Sequence, residues 1–211
     1  MPAETPEQPR TRLPIGGTGL QNRIADAAIE LFYTRGALAT TVRDITSACG
    51  LTPGALYNHF TSKEQLLYVL IRDIHLQADA QLEAAIAGAA PDPAARLTAA
   101  VSFLVAQAGG QRQQSRVANR EFITLTEARR TEITGIRRRM RGRLTEILLD
   151  GGGQGLFAVP GGPDRTSAAL TASVIGTICA NISEWTQENY PIPLAELQDR
   201  YVQMALRLAG A

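Results

Sequence analysis

The sequence predicts an all-α protein, built as a small N-terminal helical head on a larger helical body. Three observations predict it. Apolar residues recur at three- and four-residue intervals along most of the chain. No stretch sustains the period-two alternation of a half-buried strand. Helix start and stop signals punctuate the chain throughout. About nine helices are expected, divided into an arm over 1–19, a head over 20–66 and a body over 67–211.

The first nineteen residues, MPAETPEQPRTRLPIGGTG, carry four prolines and a glycine cluster, and read as a disordered arm. Helical spacing then begins, with Leu20, Ile24, Ala28, Leu31 and Phe32 on one face. Arg35-Gly36 closes that helix with a base in the last turn and a glycine after it. Thr40 is the expected N-cap of a second helix, which buries Val42, Ile45 and Ala48 and stops at Gly50. Thr52-Pro53 opens a third short helix, an N-cap followed by proline at the first helical position. Ser62 and Gln65 form a capping box for a fourth, whose stripe of Leu66, Leu67, Leu70, Ile74 and Leu82 runs to about Gly88. Past Pro91-Asp92-Pro93, helices are expected over about 93–108, 112–127, 129–150, 163–188 and 193–209. GGGQG at 151–155 and PGGPD at 160–164 act as stops.

With 45% hydrophobic and 19% charged residues among 211, the chain has the composition of a soluble globular protein able to bury a sizeable core. No unbroken apolar run of about eighteen residues exists, which argues against a spanning helix and a membrane partner. The N-terminus lacks an apolar segment, which argues against a secretory signal. Cys49 and Cys179 form no CxxC or zinc spacing and read as small buried thiols in a reducing cytoplasm. No metal or cofactor is expected.

Residues 40–60 carry the chemistry: two short helices joined by a tight turn at Gly50, the helix-turn-helix pattern. In that pattern the second helix enters the DNA major groove by its N-terminal end. Leu56 and Phe60 lie at i and i+4 and turn inward toward Ile45, so Pro53, Gly54, Tyr57 and Asn58 face outward. Gly54 and Ala55 let backbone amides approach a phosphate or a base edge. Tyr57, His59 and Lys63 are donors for phosphates, contacts that set register without reading sequence. Asn58 has the groups to pair bidentately with an adenine.

The stretch TTVRDITSACGLTPGALYNHFTSKEQLL resembles the DNA-binding domain of the TetR family of bacterial transcriptional regulators. The resemblance rests on Thr40, Asp44-Ile45, Gly50, Leu51, Gly54, Leu56-Tyr57, His59-Phe60, Ser62-Lys63-Glu64 and Leu66-Leu67. It implies a homodimer in which each subunit offers a three-helix head to a DNA operator and a larger domain binds a small-molecule effector. It also implies that Thr40, Thr41 and Arg43 lie near the DNA backbone. Thr52, Pro53, Gly54, Ala55 and Asn58 become the base-reading candidates, with Tyr57, His59 and Lys63 as phosphate clamps. Thr46 and Cys49 stand where the family usually has alanine, and the Thr46 hydroxyl is expected to bond back to the Val42 carbonyl.

In the body, Leu170, Val174 and Ile178 recur every four residues among small side chains, and Leu197, Tyr201 and Leu208 repeat along the last helix. The resemblance implies that these two helices form a four-helix dimer bundle; the pattern alone fits an intramolecular core equally. Between residues 111 and 143 ten arginines face three glutamates. This block fits a phosphorylated ligand, through Arg112, Arg116 and Arg120 on one face and Arg137 and Arg141 on another, or simply a solvated helix surface. Phe103, Phe122, Leu125 and Trp185 are pocket-wall candidates or plain core. The segments ILLDGGGQGLF and WTQENYPIPLAELQDRYVQMALRLAG are similar to effector domains of TetR-like regulators of fatty-acid, acyl-CoA or sterol breakdown, which implies a hydrophobic or acyl-thioester effector.

Enzymatic turnover lacks its usual marks. Only His59 and His75 are present, with no GxSxG, HExxH or P-loop. The reading is a ligand-released repressor, with an activator or a cysteine-based redox sensor as the alternatives.

Overall fold

The computed structural model describes residues 19–187 and 190–211. These residues form α1 (Gly19–Arg35), α2 (Val42–Ala48), α3 (Pro53–Tyr57), α4 (Lys63–Ala87), α5 (Pro93–Gly110), α6 (Arg112–Arg120), α7 (Glu127–Gly153), α8 (Arg165–Ala180), α9 (Ile182–Trp185) and α10 (Leu194–Ala209). A 3-10 turn, Glu121–Thr124, follows α6, and no strand occurs among the described residues. The expected arm lies outside them apart from Gly19, which starts α1.

Two expected helices divide. The one placed at 112–127 ends at Arg120 and tightens into the 3-10 turn, whose Leu125 neighbour is buried. The one placed at 163–188 stops at Ala180, turns at Asn181 and resumes for the single turn of α9. By length and composition the stretch Arg165–Trp185 is apolar enough to cross a membrane, which a search for unbroken apolar runs misses because Ser, Thr and Gly interrupt it. Its inward residues Ala172, Ile175, Cys179 and Ile182 are fully buried within this fold.

α7 runs through the expected stop at Gly151 and Gly152 and ends at Gly153, capped by Gln154 before Gly155 takes the left-handed conformation at φ +70°. A Cβ on Gly151 would overlap the Phe157 ring, so glycine there admits the chain as it folds back over the end of the helix.

The buried side chains form two cores. The first joins Ile24, Phe32, Ile45, Leu56, Phe60 and Leu66 of the head to Leu70 further along α4, Val117 and Ala118 of α6 and Ile133 and Ile136 of α7. This core therefore continues across the expected boundary between residues 66 and 67. The second gathers Leu82, Leu97, Val101, Leu144, Ile175 and Tyr201. α4 contributes to both, so the helix that leaves the head is also a wall of the body.

Candidate nucleic-acid interface

The turn between α2 and α3 is fixed by local hydrogen bonds. Thr41, not Thr40, caps α2: its Oγ1 accepts from the Asp44 amide, and the Asp44 carboxylate accepts from the Thr41 amide at 2.7 Å. The hydrogen bonds from Thr41 hold the Asp44 carboxyl below the usual carboxylate range. The Thr46 hydroxyl donates to the Val42 carbonyl at 3.0 Å, as its position in the sequence implied. At the other end Gly50 takes φ +66°, its amide donating to Ser47 O and that of Leu51 to Thr46 O. This is the Schellman pairing that satisfies the last carbonyls of a helix, and it requires a residue tolerant of positive φ. Arg23 on α1 adds a bond to the Cys49 carbonyl at 2.7 Å, tying the turn to the head.

On that turn α3 presents two unlike faces. Leu56 and Phe60 are buried in the first core together with Ile45. Thr52, Pro53, Gly54 and Asn58 are exposed, and so is Tyr57, whose residue surface is 55% accessible. An aromatic that bare at the tip of a well-anchored helix contributes little to the fold. Ala55 and His59 are half-buried at its flanks. Thr41 and Arg43 are exposed at the start of α2.

Two expected contact residues have other roles. Thr40 is fully buried, its hydroxyl donating to Gly36 O at 2.8 Å, so it closes α1 and offers no side chain to a ligand. The same burial explains why the cap falls one residue later. Lys63 Nζ donates to the carbonyls of Ala37 and Thr40 at 2.5 and 2.6 Å. An ammonium has three donors, so Lys63 is first a brace for the loop between α1 and α2. Ala48, expected inside, is exposed, and Thr46 and Cys49 fill the inner face instead.

The body revises the remaining expectations. Five of the ten arginines in the block lie against acids from elsewhere in the chain. Arg120 pairs with Glu184 at 2.7 Å and Arg116 lies 3.6 Å from the same carboxylate. Arg129 pairs with Glu64, Arg139 and Arg143 with Asp79, and Arg143 also with Glu83. Arg116 further stacks 5.4 Å from the Tyr33 ring centroid. The acids on α4 and α9 were visible in the sequence, but a charge count confined to residues 111–143 leaves them out.

The four pocket-wall candidates are not brought together. Phe122 and Leu125 belong to the first core, where the Arg137 guanidinium lies 4.3 Å from the Phe122 centroid. Phe103 packs on the second core, and Trp185 is exposed, edge-on to Tyr190 at 5.0 Å. A cleft of about 480 Å³ opens elsewhere, lined by Glu83, Ile86, Pro91, Arg96, Arg143 and Glu146.

The dimer candidates also divide. Leu197 and Tyr201 are buried, and Leu208 packs on the same core, because α10 lies along α5, where Gln198 reaches the Ser102 carbonyl at 3.1 Å. Ile178 is half-buried on that core too. Leu170 and Val174 point outward from α8, with Met204 exposed on α10. The two cysteines sit in separate cores, and burial pushes the Cys179 thiol up to about 12. Burial raises Cys49 as well. Buried, in separate cores and favouring the protonated thiol, the two cysteines do not favour a cysteine-based sensor.

An all-α chain with an anchored helix-turn-helix and a bare second helix has the architecture that offers a helix to a DNA groove. Residues 24–69 match the family model described as bacterial regulatory proteins, tetR family, and residues 90–209 match that described as tetracyclin repressor-like, C-terminal domain. The chain belongs to the TetR family. A 73-residue stretch is 40% identical to the transcriptional repressor KstR2 of Mycolicibacterium smegmatis, covering 35% of this chain and 32% of that one. A 57-residue stretch is 46% identical to KstR2 of Rhodococcus jostii, covering 27% and 28%. The matched stretch thus spans about a third of the length of these curated relatives.

Among solved structures, a bacterial regulatory protein in the tetR family from Rhodococcus RHA1 superposes with TM-score 0.83 at 31% identity, over 92% of this chain and 99% of that one. KstR2 of Mycobacterium tuberculosis gives 0.81 at 23% identity, over 92% and 97%. AibR, in complex with isovaleryl coenzyme A and operator DNA, gives 0.77 at 23%, over 88% and 97%. These relatives are regulators, not enzymes.

Proposed function

We propose that the protein is a cytoplasmic repressor that binds an operator as a homodimer and leaves it when a small hydrophobic effector binds. The observation that carries this reading is the bare face of α3, with Thr52, Pro53, Gly54, Tyr57 and Asn58 exposed on a turn fixed by three separate sets of hydrogen bonds. Rigid support and an exposed polar tip are what insertion into a groove needs. Gly54 and Ala55 allow close approach, Asn58 reads a base, and Tyr57, His59, Thr41 and Arg43 hold phosphates. Lys63 supports them by fixing the loop, with its remaining donor available to a phosphate. The head carries little net charge, so affinity depends on neutral donors, on helix N-termini and on doubling the contacts by dimerisation.

Leu170 and Val174 make the outward stripe through which two copies pack, holding the two α3 helices about 34 Å apart, one turn of DNA. Effector binding favours an arrangement of the subunits with a different spacing. For the effector we favour an acyl thioester, the class of ligand in the AibR complex. Arg116 and Arg120 would accept its phosphates by exchanging Glu184 for the ligand, while Phe103, Phe122, Leu125 and Trp185 would require a rearranged body to meet the acyl chain.

The experiment is to let the purified protein select fragments from genomic DNA and then add isovaleryl coenzyme A. Selection of a defined palindromic site, released by the thioester, is the expected result. Selection without release rejects the effector class, and no selection rejects the regulator.

A further inference from the structure

A row of polar and charged pairs runs along the seam between α4 and α7, beside the apolar residues that the two helices share in the first core. Arg129 of α7 pairs with Glu64 and stacks 4.8 Å from the Tyr68 ring centroid. Glu132 accepts from the Tyr68 hydroxyl and from Arg72 Nε, the latter at 2.7 Å. Arg137 Nε donates to His75 Nε2 at 2.9 Å. Arg139 and Arg143 reach Asp79 at 3.2 and 3.1 Å, and Arg143 reaches Glu83 at 2.9 Å. Partners rise together in number on both helices, so the two run parallel and the rungs fix an axial register.

Among the charged groups of this seam α4 supplies acids (Glu64, Asp79, Glu83) except at Arg72, and α7 supplies bases except at Glu132, with the neutral Tyr68 and His75 of α4 between them. Arg129 and Arg137 flank Glu132 along α7. A one-turn slip of α4 in either direction takes Arg72 off Glu132 and toward one of those arginines. Such reversed pairs select one register against its neighbours by repulsion. At 41% and 46% exposure the Arg72 and Glu132 side chains add little to stability. Their arrangement therefore bears on position more than on holding the chain folded.

The rung at Glu64 lies next to Lys63, whose ammonium holds the carbonyls of Ala37 and Thr40. The loop so held leads directly into Thr41 and Arg43. We propose that Arg72 of α4 and Glu132 of α7 are positioning residues for operator binding: their pair sets the axial register of α4 and through Lys63 the placement of the DNA-contacting face. The proposal rests on the reading of the chain as an operator-binding homodimer and adds to it a specific mechanical connection across the first core.

The test uses the full-length protein with Arg72→Glu, Glu132→Arg, the milder Glu132→Gln, and the exchange Arg72→Glu/Glu132→Arg. Affinity is measured on the selected operator and on versions with the half-sites moved closer or farther by a base pair. Each charge-reversed single variant should lose about tenfold affinity on the native spacing and discriminate less among spacings. Glu132→Gln should do so to a smaller extent, and the exchange should recover both affinity and discrimination. Thermal melting should remain cooperative in all four, which separates misplacement from unfolding. Native affinity and undiminished spacing preference in Arg72→Glu and Glu132→Arg would overturn the positioning role while leaving the regulator intact. A wild-type protein that binds no operator overturns both.

Discussion

Lys63 Nζ donates to the Thr40 carbonyl at 2.6 Å, so the first residue of α4 holds the residue that precedes the cap of α2. Thr40 is itself fully buried, and its hydroxyl is bonded to Gly36 O. One loop is thus held from both sides by groups that seemed, from sequence, free to touch DNA.

Replacing Lys63 by methionine keeps the stem and removes both donors from the carbonyls of Ala37 and Thr40. The expected loss is about 1–3 kcal/mol, the cost of leaving such acceptors unpaired. Urea unfolding of the full-length chain measures it. An unchanged midpoint would show that the ammonium contributes nothing to the loop.

His75 is buried, its Nδ1 2.8 Å from Ile71 O while Nε2 accepts from Arg137, an arrangement that requires the neutral ring protonated at Nδ1. Burial first, and the Arg137 charge second, push its pKa down from 6.5 to about 4. The unfolded chain therefore binds a proton that the folded one refuses. Stability should be independent of this residue above pH 6.5 and fall by up to about 3 kcal/mol as pH drops toward 4. Denaturation curves across that window should be flatter for His75→Gln than for the natural protein.

Glycines within α7 should respond in opposite directions. A Cβ at Gly151 meets the Phe157 ring, so Gly151→Ala should destabilise by about 1–3 kcal/mol, the usual cost of overpacking. Nothing lies within 4 Å of a Cβ at Gly135, so Gly135→Ala should stabilise by about 0.5–1 kcal/mol through helix propensity. Calorimetric melting of the two variants checks the sign of each.

The outward stripe of α8 bears the dimer reading. Leu170 is 67% exposed and Val174 41%, whereas Tyr201 is buried. A Leu170→Glu chain should elute as a folded monomer and lose operator binding. Tyr201→Ala should instead lower the melting temperature. Light scattering after gel filtration distinguishes these outcomes, and a Leu170→Glu dimer of natural size would place the interface elsewhere.

Much of the head was readable because its signals are local. Gly50 has the positive φ that its place after α2 demanded, Thr46 bonds Val42 as its spacing implied, and Leu56 and Phe60 turn inward together. Thr40 and Thr41 could not be told apart, since both offer a hydroxyl before an apolar stripe; what decides is that the end of α1 buries the first. The body was less readable because its decisive partners are remote. Nothing near Arg129 or Arg143 in sequence announces Glu64 or Asp79, and the stripe of Leu197 and Tyr201 looks the same whether it meets α5 or a second copy. Periodicity tells which face is apolar, and only the packing tells what covers it.

Entry of the exposed α3 tip into DNA is tested most directly by titration of one residue. Tyr57→Ala removes a side chain that is 55% exposed and should leave the fold intact. On the operator the protein selects, the variant should bind at least about tenfold more weakly, the loss expected for a hydrogen bond to a charged phosphate. Equal affinity of the variant and the natural protein for that operator would contradict the account.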